Sequence, residues 1–392
     1  MNFLTDLDVK GKRVFLRVDF NIPLDENGVI RDDTRIKASV PTISWLLDHG
    51  ARLVIASHLG RPKGKPDPKM SLEPAAKRLA ELIPHKVIMA RDVVGDEVAR
   101  LKRGLGEGEA LLLENVRFYK EEEKNDPEFA RKLAEDIDIF VNDAFGSSHR
   151  AHASVVGIAE FVPLKAAGYL MKKEVDYLKK AIHAPVKPYV AILGGAKVSD
   201  KIEIIESLLG KADHILIGGA MAYTFLKAQG LGVGKSLVEE DQGEVALVIL
   251  DKVRAANVSF HLPQDHVLAR SAAAGAETRT VETLPFPEDM MGVDIGPRTV
   301  AAYSAVIAGA RTIFWNGPMG IFEIDAFAKG TIGIAQAVAA SGAVSIVGGG
   351  DSVAAVKKAG VKDKISHIST GGGASLEYVA YETLPGITAL EN

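Results

Sequence analysis

Pro188-Tyr-Val-Ala-Ile-Leu-Gly-Gly-Ala-Lys-Val-Ser-Asp-Lys201 lies at the middle of the chain, and its reading decides the fold. Val190 to Leu193 is an unbroken apolar run, the pattern of a strand buried on both faces in a parallel sheet. Gly194-Gly195 turns the backbone, and Lys197 to Leu209 carries the period of a helix. A strand, a glycine turn and a helix N-terminus form an anion site, because free amides and the positive dipole end face the ligand. On that helix Lys197 and Lys201 stand one turn apart and reach the same anion. The Gly-x-x-x-x-Gly-Lys-Ser/Thr spacing of a Walker loop is absent.

The pattern repeats outward in both directions. Arg13–Asp19, Leu53–Ser57, Lys86–Met89, Ala110–Leu113 and 137–141 read as strands, with helical patterns over Ile36–Asp48 and Leu72–Leu82 between them. This alternation specifies an α/β parallel sheet. Loops at the carboxyl ends of parallel strands share one edge, where ligands bind. Asp19, Asn21, Arg35, His58, Arg61, Arg117 and Arg150 all lie in or after such loops. Guanidinium forks on one edge suit a small, multiply charged anion. Pro163 marks a break, and Gly168–Ile182 reads as a helix connecting two domains. Beyond it, glycine clusters close successive apolar runs at Gly194-Gly195, Gly218-Gly219, Gly348-Gly-Gly350 and Gly371-Gly-Gly373. Their amides form nests for phosphate oxygens. Asp351 adds a carboxylate suited to Mg²⁺. Asn316 and Glu323, polar groups in an apolar setting, suit a sugar hydroxyl. Glu121-Glu-Glu123-Lys124-Asn125 reads as a solvated loop.

Composition narrows the function classes. The 392 residues suffice for two cored domains, and 47% hydrophobic with 25% charged residues is ordinary for a soluble globular protein. The chain has no cysteine, which removes disulfides, thiol catalysis and cysteine zinc sites. Residues 1–168 hold 26 Lys+Arg against 27 Asp+Glu, so that half is no basic lobe for nucleic acid. Gly330 to Gly350 carries no charge over 21 residues, but Ser341-Gly342 interrupts it, so it reads as helix, turn and buried strand rather than a membrane span. The opening Met-Asn-Phe-Leu-Thr-Asp lacks a signal pattern. A nucleotide cradle and an anion pocket in separate domains suggest a metabolite kinase. A Rossmann dehydrogenase needs Gly-x-Gly-x-x-Gly after an early strand, where this chain has Asp19-Phe-Asn21. A non-catalytic nucleotide-binding protein has no need of Arg35 and Lys197.

Arg17-Val-Asp-Phe-Asn-Ile-Pro23, Ser57-His-Leu-Gly-Arg-Pro62, Glu114-Asn-Val-Arg-Phe118, Asp143-Ala-Phe-Gly-Ser-Ser-His-Arg-Ala-His152, Ile192 to Lys201, Trp315-Asn-Gly-Pro-Met-Gly320, Gly348-Gly-Gly-Asp-Ser352 and Ser369 to Ser375 closely resemble the phosphoglycerate kinase family, in order and over essentially the whole chain. The resemblance implies transfer of the acyl phosphate of 1,3-bisphosphoglycerate to ADP, with Mg²⁺, giving 3-phosphoglycerate and ATP in glycolysis. It implies two Rossmann-like domains, residues 1–168 for the glycerate substrate and 188–374 for the nucleotide, joined by a connecting helix and hinge at 169–187. A tail, 375–392, returns to the first domain. It assigns substrate contacts to Asp19, Phe20, Asn21, Arg35, His58, Leu59, Gly60, Arg61, Arg117 and Arg150. Nucleotide contacts fall to Gly194, Gly195, Lys197, Lys201, Gly218, Asn316, Pro318, Glu323, Gly349, Gly350, Asp351 and Ser352, with Asp351 toward the metal. Arg35, Lys197, Gly350 and Gly373 are the implied catalytic groups. A cytoplasmic monomer that closes like a hinge, with no nucleic-acid or membrane partner, is implied as well. Many members have Thr where Ser352 stands. Ala220 occupies a place often held by Gly, which would narrow the adenine side.

Overall fold

The computed structural model describes residues 1–282 and 284–391. Its strands are β1 Arg13–Arg17, β2 Arg52–Ala56, β3 Val87–Met89, β4 Ala110–Leu112, β5 Ile139–Asn142, β6 Leu164–Ala167, β7 Tyr189–Leu193, β8 His214–Ile217, β9 Ser259–His261, β10 His266–Ala269, β11 Thr278–Val281, β12 Met291–Ile295, β13 Thr312–Asn316, β14 Val344–Gly348 and β15 His367–Ile368. The first six form a parallel sheet of order β3-β4-β2-β1-β5-β6. A second parallel sheet has order β15-β14-β13-β7-β8-β9. Every residue of β7 and β13 is buried, which explains their unbroken apolar character.

In each sheet the order of connection reverses beside the first strand. β1 lies between β2 and β5, and β7 between β8 and β13. Chain segments leaving such a pair diverge and open a crevice at the carboxyl edge. The loops singled out in the sequence, after β1, β2 and β5 and after β7 and β13, leave the sheets at these two points.

The chain divides into two compact units: Met1–Asp176 with the residues from Thr383 on, and Tyr177–Glu382. The helix Tyr169–Ile182 is shared by both. The second unit runs past residue 374 to Glu382 because the helix Gly373–Tyr381 packs on Ile202–Leu208. The chain then rejoins the first unit. Gly386 donates its amide to the Ser148 carbonyl (2.8 Å), and the Asn142 side chain donates to the Gly386 carbonyl (3.3 Å).

Two elements escape the sequence patterns. β6, Leu-Lys-Ala-Ala, is an edge strand without β-branched residues, so only its pairing with β5 makes it a strand. The antiparallel sheet β11-β10-β12 interrupts the α/β alternation and builds one wall of a cavity described below. The uncharged run resolves into the helix Lys329–Ala340 and β14. Among the described residues no helix is long and apolar enough to cross a membrane.

Candidate active site in two halves

In the first unit the loops after β1, β2, β4 and β5 bring a set of charged side chains together. Arg35, in the first turn of the helix Thr34–Asp48, donates to Asp19 at 2.6 Å. Asn21 accepts the Gly60 amide at 2.9 Å, and the Phe20 amide donates to Ser57 Oγ at 2.7 Å, so the first two loops are tied together. Arg117 donates to the Gly60 carbonyl at 2.9 Å, while Asn115 Nδ2 donates to the Leu59 carbonyl at 2.7 Å. Arg150 Nε donates to His149 Nε2 at 3.1 Å. Arg61 is exposed and takes no part in these contacts among the described residues.

Burial and the crowd of cations set the charge states here. Burial works against ionisation of Asp19, but Arg35 and other neighbours outweigh it and hold the carboxyl below its usual range. His58 is buried and held well below its ordinary value, by burial first. Burial and then Arg117 take His152 down to about 3. Burial and then Arg17 lower Arg117 to about 10, still charged at neutral pH. The result is a cluster of neutral imidazoles and charged guanidiniums.

Sequence reasoning missed the layer beneath. Arg17 was read as strand, yet its side chain is fully buried and donates to Ser154 Oγ at 2.8 Å, to the Val18 carbonyl and to His58 Nδ1 at 3.3 Å. The expected solvated loop at Glu121–Asn125 is corrected. Lys120–Glu123 is a helical turn, and Glu122 is fully buried, accepting Ser154 Oγ at 2.6 Å and the Ser154 amide at 2.9 Å. A run of glutamates reads as surface because its counter-charge, Arg17, lies over a hundred residues away. The only signal was Arg17 itself, a cation inside an apolar strand.

In the second unit the expected helix over 197–209 is also corrected. The helix covers only Ile202–Leu208, with Lys201 at its N-cap. Ser199 instead gives both its amide (3.0 Å) and its hydroxyl (2.6 Å) to the Glu239 carboxylate, which diverts the backbone from helix. Lys197 and Lys201 are therefore not helical neighbours. Lys197 is exposed on the turn. Lys201 is buried and donates to Asn316 Oδ1 at 2.5 Å. Asn316 in turn donates to the Gly348 carbonyl at 2.7 Å, so its carboxamide links two loops at a cavity wall.

The glycines divide into two kinds. Gly194, Gly219 and Gly317 let three turns press backbone on backbone: a Cβ on Gly194 would lie 2.1 Å from the Pro318 carbonyl oxygen, and one on Gly219 2.4 Å from that of Gly195. Gly195, Gly350, Gly372 and Gly373 have nothing within 4 Å of a would-be Cβ, so they face open space. That space is a cavity of about 330 Å³, lined also by Lys197, Lys201, Asp351 and Ser352. The helices Gly350–Lys358 and Gly373–Tyr381 both begin at its wall. Two positive helix ends, two lysines and glycine amides make a polyphosphate cradle. Ser352 Oγ accepts the Gly317 amide at 2.6 Å, a bond its hydroxyl provides as a threonine would. Gly218 is not in the lining of this cavity; it makes room for Met319.

Adjoining the cradle is a more apolar cavity of about 280 Å³. It shares Gly195, Pro318 and Asp351 with the cradle and includes Ala220 and the exposed Glu323. Tyr223, Leu237 and Met291 to Asp294 also line it, none of them marked in the sequence. Met291 to Asp294 belong to the antiparallel sheet, which follows no glycine cluster.

Open glycine turns and helix N-termini at the carboxyl edge of one parallel sheet, with a cluster of guanidiniums at the edge of another, are the arrangement of a two-domain α/β kinase of small metabolites. A phosphoglycerate kinase family model matches residues 4–382. The chain is 57% identical over 98% of its length to a phosphoglycerate kinase of Anaeromyxobacter dehalogenans, 98% of which is covered. It is 59% identical, over 99% of this chain and 98% of the other, to one of Acidobacterium capsulatum. The solved phosphoglycerate kinase structure from Coxiella burnetii superposes with a TM-score of 0.89 at 42% identity, covering 99% of this chain and 97% of that one. That from Pyrococcus horikoshii gives 0.85 at 37%, covering 100% and 98%. The chain belongs to the phosphoglycerate kinase family. Its activity is the glycolytic transfer of phosphate between 1,3-bisphosphoglycerate and ADP, and its fold is two Rossmann-like domains.

Proposed function

We propose that the pocket of Asp19, Phe20, Asn21, Arg35, His58, Leu59, Gly60, Arg61, Arg117 and Arg150 holds the glycerate substrate, and that the cradle and the cavity beside it hold the adenine nucleotide. The observation that carries this reading is the cradle: two helix N-termini, Lys197, Lys201 and open glycine amides meet at one cavity large enough for a polyphosphate chain. Glu323 and Ala220 then lie on the ribose and adenine side. Lys197 neutralises charge on the transferring phosphoryl group, Gly350 and Gly373 offer amides to it, and Arg35 orients the acceptor carboxylate.

Asp351, exposed in the first turn of its helix and lining both cavities, fits Mg²⁺. That ion keeps waters and takes one carboxylate together with phosphate oxygens. Among the described residues no group of three or more His, Cys, Asp or Glu could hold a metal ion. Mg²⁺ would supply charge neutralisation on the phosphates.

The nucleophile in either direction, a carboxylate or a phosphate oxygen, is already ionised at neutral pH, so no base is required. Because the half-sites belong to different units, transfer requires the two bound ligands to meet, and the segment 169–187 is the proposed hinge. Reacting atoms must come within about 3–3.5 Å. The protein acts as a cytoplasmic monomer. Titration calorimetry of ADP with and without Mg²⁺ tests the assignment. Asp351→Ala should abolish the Mg²⁺-dependent gain in affinity and leave metal-free ADP binding within about twofold. An unchanged gain would remove Asp351 from the metal.

A further inference from the structure

We infer that Arg17 is a positioning residue that fixes His58 in a single neutral tautomer, with the proton on Nε2, so that His58 meets the substrate only as a hydrogen-bond donor. The inference rests on the reading of His58 as a substrate contact. Its basis is a one-way chain of hydrogen bonds inside the first unit. A guanidinium has donors and no acceptor. Arg17 lies 3.3 Å from His58 Nδ1, so that nitrogen must be the bare acceptor and the ring proton must sit on Nε2. Arg17 is not free to turn away. Its Nε donates to Ser154 Oγ at 2.8 Å, and another of its nitrogens to the Val18 carbonyl. Ser154 has one hydroxyl proton and gives it to Glu122 at 2.6 Å, so the hydroxyl accepts from Arg17 and the chain has one direction. Arg17, Ser154 and Glu122 are each fully buried, so no water competes for these bonds.

The charged groups around His58 favour the same state. They are Arg17 on β1, Asp19 in the loop after it, Arg35 on the helix Thr34–Asp48 and Arg117 in the turn after β4. Burial is the largest influence against the imidazolium, and three of these neighbours are cations that add to it. Only Asp19 opposes, and it is paired with Arg35. A substrate carboxylate or phosphate has acceptors only. A ring with its proton on Nδ1 would present a lone pair to it and repel it. One buried arginine thus sets the sign of a contact it does not itself make.

Long-range nitrogen–proton correlation spectra of the His58 ring, taken on the whole ligand-free chain between about pH 6 and about pH 8.5, test this. The expected result is one neutral form throughout, with Nδ1 bare and Nε2 protonated. A proton on Nδ1, or a charged ring at neutral pH, overturns the inference without any variant. Arg17→Lys keeps the charge but loses the fork, and Ser154→Ala cuts the tether without removing a charge. Either should give a mixture of tautomers and raise KM for 3-phosphoglycerate about tenfold, with kcat falling less than about threefold. A KM rise with the tautomer unmoved would make the network merely structural. Should Arg17→Lys not fold, Ser154→Ala and the wild-type spectrum still decide. Adding 3-phosphoglycerate to the wild type should shift the Nε2 proton. An unmoved resonance with the tautomer intact would remove His58 from the substrate site and leave the role of Arg17 standing.

Discussion

The two proposed half-sites are built by opposite means. In the first unit, side chains do the work, and they are held by a buried ionic layer of Arg17 and Glu122 that never touches solvent. In the second unit the backbone does it, through open glycines and helix ends, and side chains such as Asn316 and Ser352 tie the turns to one another. A side-chain site tolerates small backbone shifts but fails when a charge loses its partner. A backbone site fails when a turn is forced apart, and the proposed role of Lys197 at its wall adds a dependence on one charge.

The largest effect is expected at Lys197. It is exposed, so Lys197→Ala should leave thermal stability unchanged while lowering kcat by about 10²–10³, the loss from removing one preorganised charge. Lys201→Ala sharpens the contrast, because it also leaves Asn316 Oδ1 buried without its donor. It should cost about 1–3 kcal/mol of stability in addition, read by denaturant unfolding. Equal stability of the two variants would mean that Lys201 does not tie the turns.

Two glycine variants test the division between packing and opening. Gly194→Ala drives a methyl onto the Pro318 carbonyl and should destabilise the protein by about 1–3 kcal/mol. Gly350→Ala enters open space and should fold like wild type, with ADP affinity reduced about tenfold by crowding of the cradle. Normal ADP binding by Gly350→Ala would mean that the nucleotide does not approach the space beside the Gly350 Cα.

A smaller effect sets one buried carboxyl in each unit side by side. Asp143 accepts the Met171 amide near the start of Tyr169–Ile182, and burial pushes it up to about 6. Asp294 accepts the Gly330 amide in the first turn of Lys329–Ala340, and burial pushes it up to about 7. A carboxyl raised on folding favours the native state while protonated. Its contribution is complete below the unfolded value near ~3.9 and is lost as pH climbs through the folded one. Stability attributable to Asp143 should therefore fall between about pH 4 and about pH 6, and that of Asp294 should keep falling to about pH 7. Asp143→Asn and Asp294→Asn should each flatten the unfolding curve in its own window. Parallel curves for wild type and variant would refute the assignment.

How much of this was legible in the sequence follows the same contrast. Glycine turns after apolar runs are local, so the cradle residues Gly194, Gly195, Gly349 to Ser352 and Gly373 stood out by spacing alone. The arginines of the first half were legible as strand-end cations. What was hidden depends on distant partners. The Ser199–Glu239 bond, which breaks the expected helix, spans 40 residues, and Arg17–Ser154 spans 137. β6 was invisible for the same reason: its pairing with β5 made it a strand, not its propensity.

The proposed transfer works by placement and charge in both halves, with no proton removed. The direct test is the single-turnover rate from ATP and 3-phosphoglycerate at saturating ligand, followed from about pH 6 to about pH 8.5 in wild type and in His58→Gln. His58, His149 and His152 are held below the ordinary imidazole value by burial and neighbouring cations. A nearly flat profile in both proteins is therefore expected, with His58→Gln weakening 3-phosphoglycerate binding. A rate that falls tenfold per pH unit below about pH 6.5 in wild type, and loses that dependence in the variant, would make His58 a general base and contradict the account.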